Sequence, residues 1–305
     1  FKFIFDFKFY PYLSAVNIAI LSRGESLYST QSLLKAGEAR NHTMEVLEPS
    51  YFNLAVENGK AILYYHDELI DDLNAVIPRI GASNTYQGSS LVRHFEAAGV
   101  VSTVTAEGIL NSRDKWTCFQ VLAKAGIPVP NTILGGYYDA ELVLKKFKDT
   151  PVIIKILEGT HGQGVILSES NQNALATVET LQASNVKFIL QEYIAESKGA
   201  DIRAIVVDGV IVAAMRRQCK AGDFRSNLHR GGTSESLQLS YEEESVALKA
   251  AKTFRLGVCG VDILQSDRGP LVLEVNSTPG LEGIETTTGK NISKSIIGYL
   301  ERNKR

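Results

Sequence analysis

Short apolar runs alternate with segments of helical spacing in the first part of the chain. NIAILS (17–22) and TMEVLEP (43–49) have the length and apolar content of strands, and SLLKAGEARN (32–41) between them has helical periodicity. This order predicts a βαβ unit, which AILYYH, AVIPRIG and the helical GSSLVRHFEAAGV extend to about residue 100. The turn after the first strand, SRGES, lacks the GxGxxG pattern of a dinucleotide site. We therefore expect a Rossmann-like scaffold without that fingerprint.

A second segment of helices and strands begins near residue 111. Asp114 is a predicted N-cap for the helix that follows, and Gly126 is predicted to end that helix. A helix at about 139–148, the strand PVIIKIL, the glycine-rich turn EGTHGQG and the strand VILSE come next. KFILQEYIA (187–195) then predicts a strand that leads into a third segment.

Two apolar strands near the end of the chain are interrupted by oxygen-bearing side chains. LGVCGVDILQ (256–265) and LVLEVN (271–276) are separated by a polar turn, which predicts an antiparallel hairpin. Glu274 and Asn276 share one face of their strand because strand side chains alternate, and Asp262 interrupts the partner strand. Buried carboxylates that converge need a cation, and an all-oxygen site favours Mg²⁺ or Mn²⁺. Hydrogen bonds to the backbone or pairing with arginine would satisfy them equally well.

Basic residues occur at two further places in the pattern. Lys155 lies inside an apolar strand directly before EGTHGQG, whose glycines would let backbone N–H groups approach a phosphate. The alternative to a phosphate-binding loop is a mobile hairpin without a ligand. The Walker sequence GxxxxGK[ST] is absent, so this is not a P-loop. The arginine-rich stretch 216–235 is compatible with a solvated loop, with nucleic-acid binding, or with arginine forks that hold a phosphate and an acidic substrate.

Composition narrows these possibilities. The 305 residues are 44% apolar and carry a formal net charge of −2, so a general attraction to nucleic acid or to an acidic surface is not expected. The three cysteines form no CxxC pair, which favours reduced thiols in a cytoplasm. The first fifteen residues fit neither a signal peptide nor a membrane span, and we expect an upstream extension, with a natural start near Val16, or an added edge strand.

Taken together, the motifs resemble the ATP-grasp ligases. The resemblance rests on the Lys155 strand with its glycine loop, on QEYI (191–194), DIRAIVVDG (201–209) and NLHRGG (227–232), and on GVDIL followed by LEVNSTPG. Within that superfamily, AVIPRIG, EGTHGQGV and LEVNSTPGLEGIE are similar to the pattern of RimK, the α-L-glutamate ligase family. The resemblance implies an α/β (α+β) ATP-grasp fold with an N-terminal Rossmann-like preATP-grasp domain. The expected boundaries are 1–15 for the extension, 16–108, 109–190 and 191–305.

The resemblance also implies a role for individual side chains. Residues implied to bind ATP are Lys115 and Lys155 at the α- and β-phosphates, Gly162 and Gly164 in the loop, Glu192, Tyr193 and Ile194 around adenine, Asp201 at the ribose, and Arg225 and Asn227 at the γ-phosphate. Metal ligands implied for Mg²⁺ or Mn²⁺, as two ions bridged by Glu274, are Asp262, Glu274 and Asn276. The implied catalytic residues are Arg225, Asn227 and Arg203. Arg203 and the loop from Arg216 to Arg230 are expected to orient glutamate and the acidic acceptor.

The reaction implied by the resemblance joins L-glutamate to a carboxylate through an acyl phosphate. The expected acceptor is the acidic C-terminal tail of the sixth small-subunit ribosomal protein. The formation of poly-α-glutamate is expected as a further activity. A cytoplasmic homo-oligomer, a tetramer by resemblance, is expected, with no direct contact to nucleic acid or membrane. Two alternatives remain open: a ligase that adds an amino acid to a small cofactor or carrier protein, and a non-catalytic ATP-binding regulatory module like the synapsin branch.

Overall fold

The computed structural model of this chain describes residues 15–135, 139–147, 151–157, 164–220 and 231–304. Several sequence-based expectations lie outside these residues. They are the N-terminal extension up to residue 14, the glycine-loop residue Gly162, and the predicted γ-phosphate residues Arg225 and Asn227.

The first region contains a parallel sheet. Its elements are β1 (Asn17–Leu21), α1 (Tyr28–Glu38), β2 (Thr43–Leu47), β3 (Phe52–Glu57), β4 (Lys60–Tyr65), β5 (Glu68–Leu69), β6 (Ala75–Pro78), α2 (Thr85–Ala97), β7 (Val101–Ser102) and α3 (Ala106–Arg113). The sheet order is β2-β1-β6-β7, and its three pairings are parallel. The predicted βαβ unit is therefore confirmed. The carboxyl ends of β1 and β6 lie side by side, which is where open parallel sheets bind ligands.

A small antiparallel sheet, ordered β3-β4-β5, was not expected as a separate unit. Its hairpin turns at Asn58 and Gly59, which both have positive φ angles (49° and 76°), as the Asn-Gly turns of tight hairpins require. One side of the sheet packs on Phe95 of α2 through Phe52 and Leu63. The strands alternate only weakly between buried and exposed positions, so the sequence pattern did not separate them from the parallel sheet.

The central region forms an antiparallel sheet with the order β10-β9-β11-β8. Its elements are α4 (Lys115–Lys124), β8 (Thr132–Leu134), α5 (Ala140–Leu144), β9 (Val152–Ile156), β10 (Val165–Ser168), α6 (Asn171–Ala183) and β11 (Phe188–Glu192). Asp114 caps α4 as predicted, because its Oδ1 accepts a hydrogen bond from the Thr117 N–H at 2.6 Å. Lys155 lies on β9, which has a neighbouring strand on each side.

The C-terminal region has five antiparallel strands in the order β14-β13-β12-β15-β16. Its elements are β12 (Ala200–Val207), β13 (Val210–Gln218), β14 (Thr233–Ser236), α7 (Tyr241–Thr253), β15 (Val258–Ser266), β16 (Gly269–Asn276), α8 (Glu282–Thr288) and α9 (Ile292–Asn303). The predicted hairpin is confirmed as β15 and β16. One face of the sheet packs on α7 through residues such as Ala204 and Val261. On the other face, the end near Val207 packs on α8 and α9, and the opposite end carries charged side chains. Among the described residues, no helix is long and apolar enough to cross a membrane.

Helix α9 joins the last region to the first by packing against α1. Glu301 of α9 is nearly buried and accepts hydrogen bonds from Arg40 Nε at 2.7 Å and from His42 Nε2 at 2.8 Å. The Nδ1 of His42 accepts from the Val16 N–H, so its Nε2 carries the hydrogen that Glu301 receives. Burial alone would raise the pKa of Glu301, but the contacts with Arg40 and His42 outweigh burial and lower it.

Replacing Glu301→Gln is expected to lower the free energy of unfolding by about 2 kcal/mol at pH 7, because it removes the anion from a largely buried ion pair. A carboxyl whose pKa is lowered on folding stabilises the fold above its ordinary value of 4.5 and loses that effect as the pH falls through the lowered value. Urea unfolding at several pH values should therefore show wild type and variant converging below about pH 4.

The control for this measurement is Asp208→Asn, which breaks an exposed pair with Arg302 on the same helix. It should change the free energy of unfolding by less than about 1 kcal/mol. A difference between wild type and Glu301→Gln that stays constant from pH 7 to pH 3 would contradict the assignment.

Candidate functional site

The charged end of the C-terminal sheet is built by strand register. Asp201 lies opposite Arg217, Arg203 lies opposite Asp262, and Asp262 lies opposite Glu274. Residues directly opposite in antiparallel strands project to the same face. Four strands therefore bring five charged side chains onto one surface.

Four of these side chains form a continuous chain of hydrogen-bonded ion pairs, and the Oε1 of the fifth, Glu274, lies 3.9 Å from Arg203 Nη2. Arg203 donates from Nε and Nη2 to both Asp262 oxygens, at 2.8 and 2.6 Å, and Arg217 Nη2 reaches Asp262 Oδ2 at 2.9 Å. Arg217 Nε also donates to Asp201 Oδ1 at 2.7 Å, and its Nη2 contacts the second Asp201 oxygen. Asp201, Arg217 and Asp262 are each at most 5% exposed. Two arginines thus neutralise two buried carboxylates, which is the arginine pairing that the sequence left open for Asp262.

These pairs also set the charge state of the network. Burial alone would raise the pKa of Asp262, but Arg203 and Arg217 outweigh burial and hold that pKa well below its usual range. Burial alone would lower the pKa of Arg217, and Asp262 with Asp201 raises it instead. Both groups are therefore charged at neutral pH. The predicted ribose contact of Asp201 and the predicted catalytic role of Arg203 stay predictions, and in this structure both side chains hold their ion-pair partners.

Glu274 and Asn276 lie beside this network on β16. They share a face as the alternation predicted, and Asn276 Nδ2 donates to Glu274 Oε1 at 2.9 Å. The register shifts by one residue after Asp262, so that Asp262 faces Glu274 while Ile263 faces Val272. The Glu274 side chain keeps 52% of its surface accessible. The surrounding protein and nearby Asp262 nevertheless raise its pKa, against the opposing effect of Arg203.

The oxygen donors here fit a small divalent cation. The 2.9 Å between Asn276 Nδ2 and Glu274 Oε1 matches the distance of about 2.9 Å between neighbouring ligands on an octahedral Mg²⁺ ion. Rotation of the amide would put its oxygen at that position, because amide oxygen and nitrogen occupy equivalent places. Asp262 can add its Oδ1, which accepts only one hydrogen bond. In the described part of the chain no three His, Cys, Asp or Glu side chains cluster as metal ligands.

Two lysines approach this surface from the central region. Lys115 Nζ donates to the carbonyl oxygens of Ile156 at 3.1 Å and Leu157 at 3.0 Å, which ties α4 to the end of β9. Burial lowers the pKa of Lys155 to about 8, and the negative charges of Glu274 and Asp262 oppose that shift. The charges of both carboxylates therefore act on Lys155, although these residues lie on different sheets. Gly164, which follows the loop, has φ +72° and accepts from the Ile156 N–H at 2.8 Å.

The segment predicted to line adenine connects β11 with the C-terminal sheet. The Glu192 carboxylate accepts from the Asn131 N–H at 2.7 Å and also contacts Arg268 at the tip of the β15–β16 hairpin. Tyr193 is half-buried, and Ile194 is 4% exposed. These contacts fix the path of the segment. The adenine role of the three residues stays a prediction.

The sequence pattern placed Arg217 in an arginine-rich stretch, and in the structure it is a strand residue inside the charged network. One signal in the sequence could have separated it from Arg216. Arg217 follows Ala213 and Met215 by four and two positions, so strand alternation puts it on the same face of β13 as these buried residues, which is the face that carries the charged network. Arg216 projects to the opposite face.

Comparison with known proteins places this architecture in a family. Residues 112–300 match the RimK-like ATP-grasp domain, and residues 16–109 match the RimK PreATP-grasp domain. The chain belongs to the RimK-like ATP-grasp family. This membership confirms the predicted fold class and the prediction of an enzyme of the ATP-grasp ligase class.

Relatives of this RimK-like chain align over nearly its full length. A probable alpha-L-glutamate ligase of Vibrio parahaemolyticus serotype O3:K6 is 45% identical over 289 residues, which are 94% of this chain and 96% of the relative. A probable alpha-L-glutamate ligase of Halorhodospira halophila is 44% identical over 293 residues, 95% of this chain and 96% of the relative.

Solved structures share the fold at lower identity. The ATP-grasp ligase PsnB complexed with minimal precursor, Mg and ADP has a TM-score of 0.72 and 20% identity, with 93% of this chain and 96% of that chain covered. The macrocyclase MdnC bound with precursor peptide MdnA, from Microcystis aeruginosa MRC, has a TM-score of 0.72 and 17% identity, with 94% and 100% covered. At these identities the likeness supports the RimK-like fold alone.

Replacing Arg217→Met should lower the free energy of unfolding of this RimK-like protein by about 3 kcal/mol, because Asp201 would be left buried without its cation. Arg216→Met removes the same charge from the opposite face of the strand and serves as the control, with an expected loss below about 1 kcal/mol. Urea unfolding measures both variants. Equal losses would contradict the assigned network.

Proposed function

We propose that this protein is an ATP-dependent α-L-glutamate ligase. The observation that carries the proposal is the arrangement of charged and oxygen-bearing side chains on two sheets. Lys155 on one sheet interacts with Glu274 and Asp262 on the other. Lysine on one side and oxygen ligands for a divalent cation on the other are what the phosphates of a metal-bound nucleoside triphosphate require. Family membership and the names of the relatives support glutamate as the amino acid.

The proposed reaction has two steps. A carboxylate oxygen of the acceptor attacks the γ-phosphorus of ATP, the bond from that phosphorus to the β–γ bridging oxygen breaks, and ADP leaves. The amine nitrogen of glutamate then attacks the carbonyl carbon of the acyl phosphate and loses a proton. A C–N bond forms as inorganic phosphate leaves. No covalent bond to the protein is needed, so the protein acts by positioning groups and stabilising charge.

We assign roles in these steps to the described residues. Lys115 and Lys155 would bind phosphate oxygens: Lys115 contacts the end of β9, and Lys155 lies on that strand. Asp262, Glu274 and Asn276 would hold Mg²⁺ or Mn²⁺, and we propose two ions. When bound, the metal would neutralise phosphate charge. Arg203 and Arg217 would hold Asp262 in place, as their hydrogen bonds to it suggest.

The proposed acceptor is a peptide carboxylate at the acidic tail of the sixth small-subunit ribosomal protein. The relatives are named probable alpha-L-glutamate ligases, and PsnB and MdnC were solved with precursor peptides. Peptides are therefore among the molecules that proteins of this fold bind. Poly-α-glutamate synthesis, a homotetramer and a cytoplasmic location belong to the same proposal.

Incubating the protein with ATP, Mg²⁺, L-glutamate and a synthetic peptide of that tail should give a ladder of masses spaced by one glutamyl residue. Mass spectrometry of the peptide and a coupled assay for ADP measure the product and the turnover. A peptide of the same sequence with a C-terminal amide is the control, and it should not be extended at that end because it has no carboxylate there.

The other outcomes separate the alternatives. ADP release that depends on glutamate, with an unmodified peptide, would keep the ligase and reject this acceptor. Masses of glutamate joined to glutamate would identify poly-glutamate synthesis. ATP binding without ADP release under every acceptor condition would contradict the ligase and favour a regulatory ATP-binding module.

Replacing Glu274→Gln is expected to reduce turnover at least ~100-fold, since it removes a negative metal ligand at the site of phosphoryl transfer. The melting temperature should stay close to that of wild type because half of the side-chain surface is exposed. Asp267→Asn, at the exposed tip of the same hairpin, is the control for turnover. Full activity of Glu274→Gln over a range of Mg²⁺ concentrations would reject Glu274 as a ligand.

A further inference from the structure

Two arginines meet where the first region contacts the C-terminal hairpin. Arg79 directly follows β6, and Arg113 is the last residue of α3. Arg79 Nη2 donates to the carbonyl oxygen of Pro279 at 2.8 Å, and Arg113 Nη2 donates to Thr278 Oγ1 at 3.2 Å. Both arginines therefore contact the segment that starts directly after Asn276.

These two guanidinium groups lack an acidic partner. Within the described residues, no carboxylate oxygen lies within the 4.0 Å of an ion pair from either one, whereas Arg203 and Arg217 are both neutralised by aspartates. Burial, together with the neighbouring charge of Arg113, lowers the pKa of Arg79 to about 10. Arg79 still carries its charge at neutral pH. Two desolvated like charges without an anion are unfavourable, and a bound anion would relieve both.

The two arginines differ in how many of their donors are used. Arg113 donates from Nη1 to Gly81 O and Thr85 Oγ1, both at 3.1 Å, and from Nη2 to Ile80 O as well as Thr278. Arg79 donates to Pro279 O and, in the described part of the chain, to no other side chain or carbonyl. Arg113 is therefore fixed in place, whereas most N–H donors of the Arg79 guanidinium group have no acceptor among the described residues and can bind a ligand. An arginine fork of this kind matches a carboxylate.

The location of Arg79 also points to a ligand. It lies at the carboxyl end of the parallel sheet, where its N–H donates to Leu21 O of the neighbouring strand at 2.9 Å. In the segment that it contacts, Ser277 is 3% exposed, and its Oγ has no hydrogen-bond partner among the residues that the structure describes. A buried hydroxyl without a partner is uncommon and calls for a group that supplies one. Asn276, a proposed metal ligand, directly precedes Ser277, so this position adjoins the proposed reaction centre.

We propose that Arg79, with the charge of Arg113 behind it, binds a carboxylate group of a substrate. The inference rests on the proposed ligase function, which brings carboxylates from two sources to this centre: the incoming glutamate and the acidic acceptor. Arg203 and Arg217 are paired with aspartates. Among the described residues beside the hairpin, Arg79 and Arg113 are the arginines without an acidic partner.

The test compares Arg79→Gln and Arg79→Lys with Arg93→Gln, an exposed arginine in α2 of the same region. Steady-state assays give KM separately for ATP, L-glutamate and the acidic peptide. For Arg79→Gln we expect KM for one carboxylate substrate to rise about tenfold to hundredfold, the range of a lost charge-assisted hydrogen bond, with KM for ATP within about twofold of wild type. Arg79→Lys should recover part of the loss, and Arg93→Gln should match wild type.

The substrate whose KM rises identifies the source of the carboxylate. A rise for glutamate, with weaker discrimination against L-glutamine, assigns Arg79 to the glutamate side chain. A rise for the peptide assigns it to the acceptor. Unchanged KM values for both, or an equal rise for ATP, would overturn the inference, and melting temperatures exclude a folding defect as the cause.

A binding measurement separates this inference from the proposed function. Titration calorimetry of glutamate and of the peptide, with a non-hydrolysable ATP analogue and Mg²⁺ present, needs no turnover. Wild type that binds either carboxylate without turnover would reject the ligase, while weaker binding to Arg79→Gln would still support the inference. Binding and turnover that are both unaffected by Arg79→Gln would reject the inference alone. A wild type that binds neither substrate would reject both.

Discussion

The pairing of two arginines with two buried aspartates is the interaction on which the rest of the site depends. Asp201 and Asp262 could not be buried on a sheet without cations, and Arg217 bridges them while Arg203 holds Asp262 by both oxygens. The network fixes the Asp262 carboxylate directly opposite Glu274. The buried ion-pair network thus supports the half-exposed carboxylate of Glu274. This arrangement combines a fixed geometry with access for a ligand.

The same network determines which charges remain for substrates. The charges of its two arginines and two aspartates cancel. Glu274 therefore contributes negative charge on the C-terminal sheet, and Lys155 contributes positive charge on the central sheet. The Arg79–Arg113 pair supplies further positive charge from the first region. Phosphates and carboxylates would then be held by groups outside the network, and the ion pairs of the sheet could persist while substrates bind and leave.

Much of this arrangement could be predicted from the sequence because it depends on local rules. Strand alternation predicted that Glu274 and Asn276 share a face, the polar turn predicted their hairpin, and the capping position predicted the start of α4 at Asp114. The pairing of Asp201 with Arg217 could not be predicted, because it depends on the register of β12 and β13, which shifts by one residue after Ile205. Contacts between distant segments leave even less trace in the sequence.

The seam between the first and last regions is such a long-range feature. Arg79 donates to Pro279, two hundred positions later in the chain, and α9 returns to pack on α1 through the pairing of Glu301 with Arg40. The contact between the first and the C-terminal regions is therefore made by segments that lie far apart in the sequence. Because Arg79 is positioned by one region and Asn276 by the other, docking of the two regions would set the distance between the proposed carboxylate position and the proposed metal position. Docking of the regions and geometry of the site thus depend on the same interface.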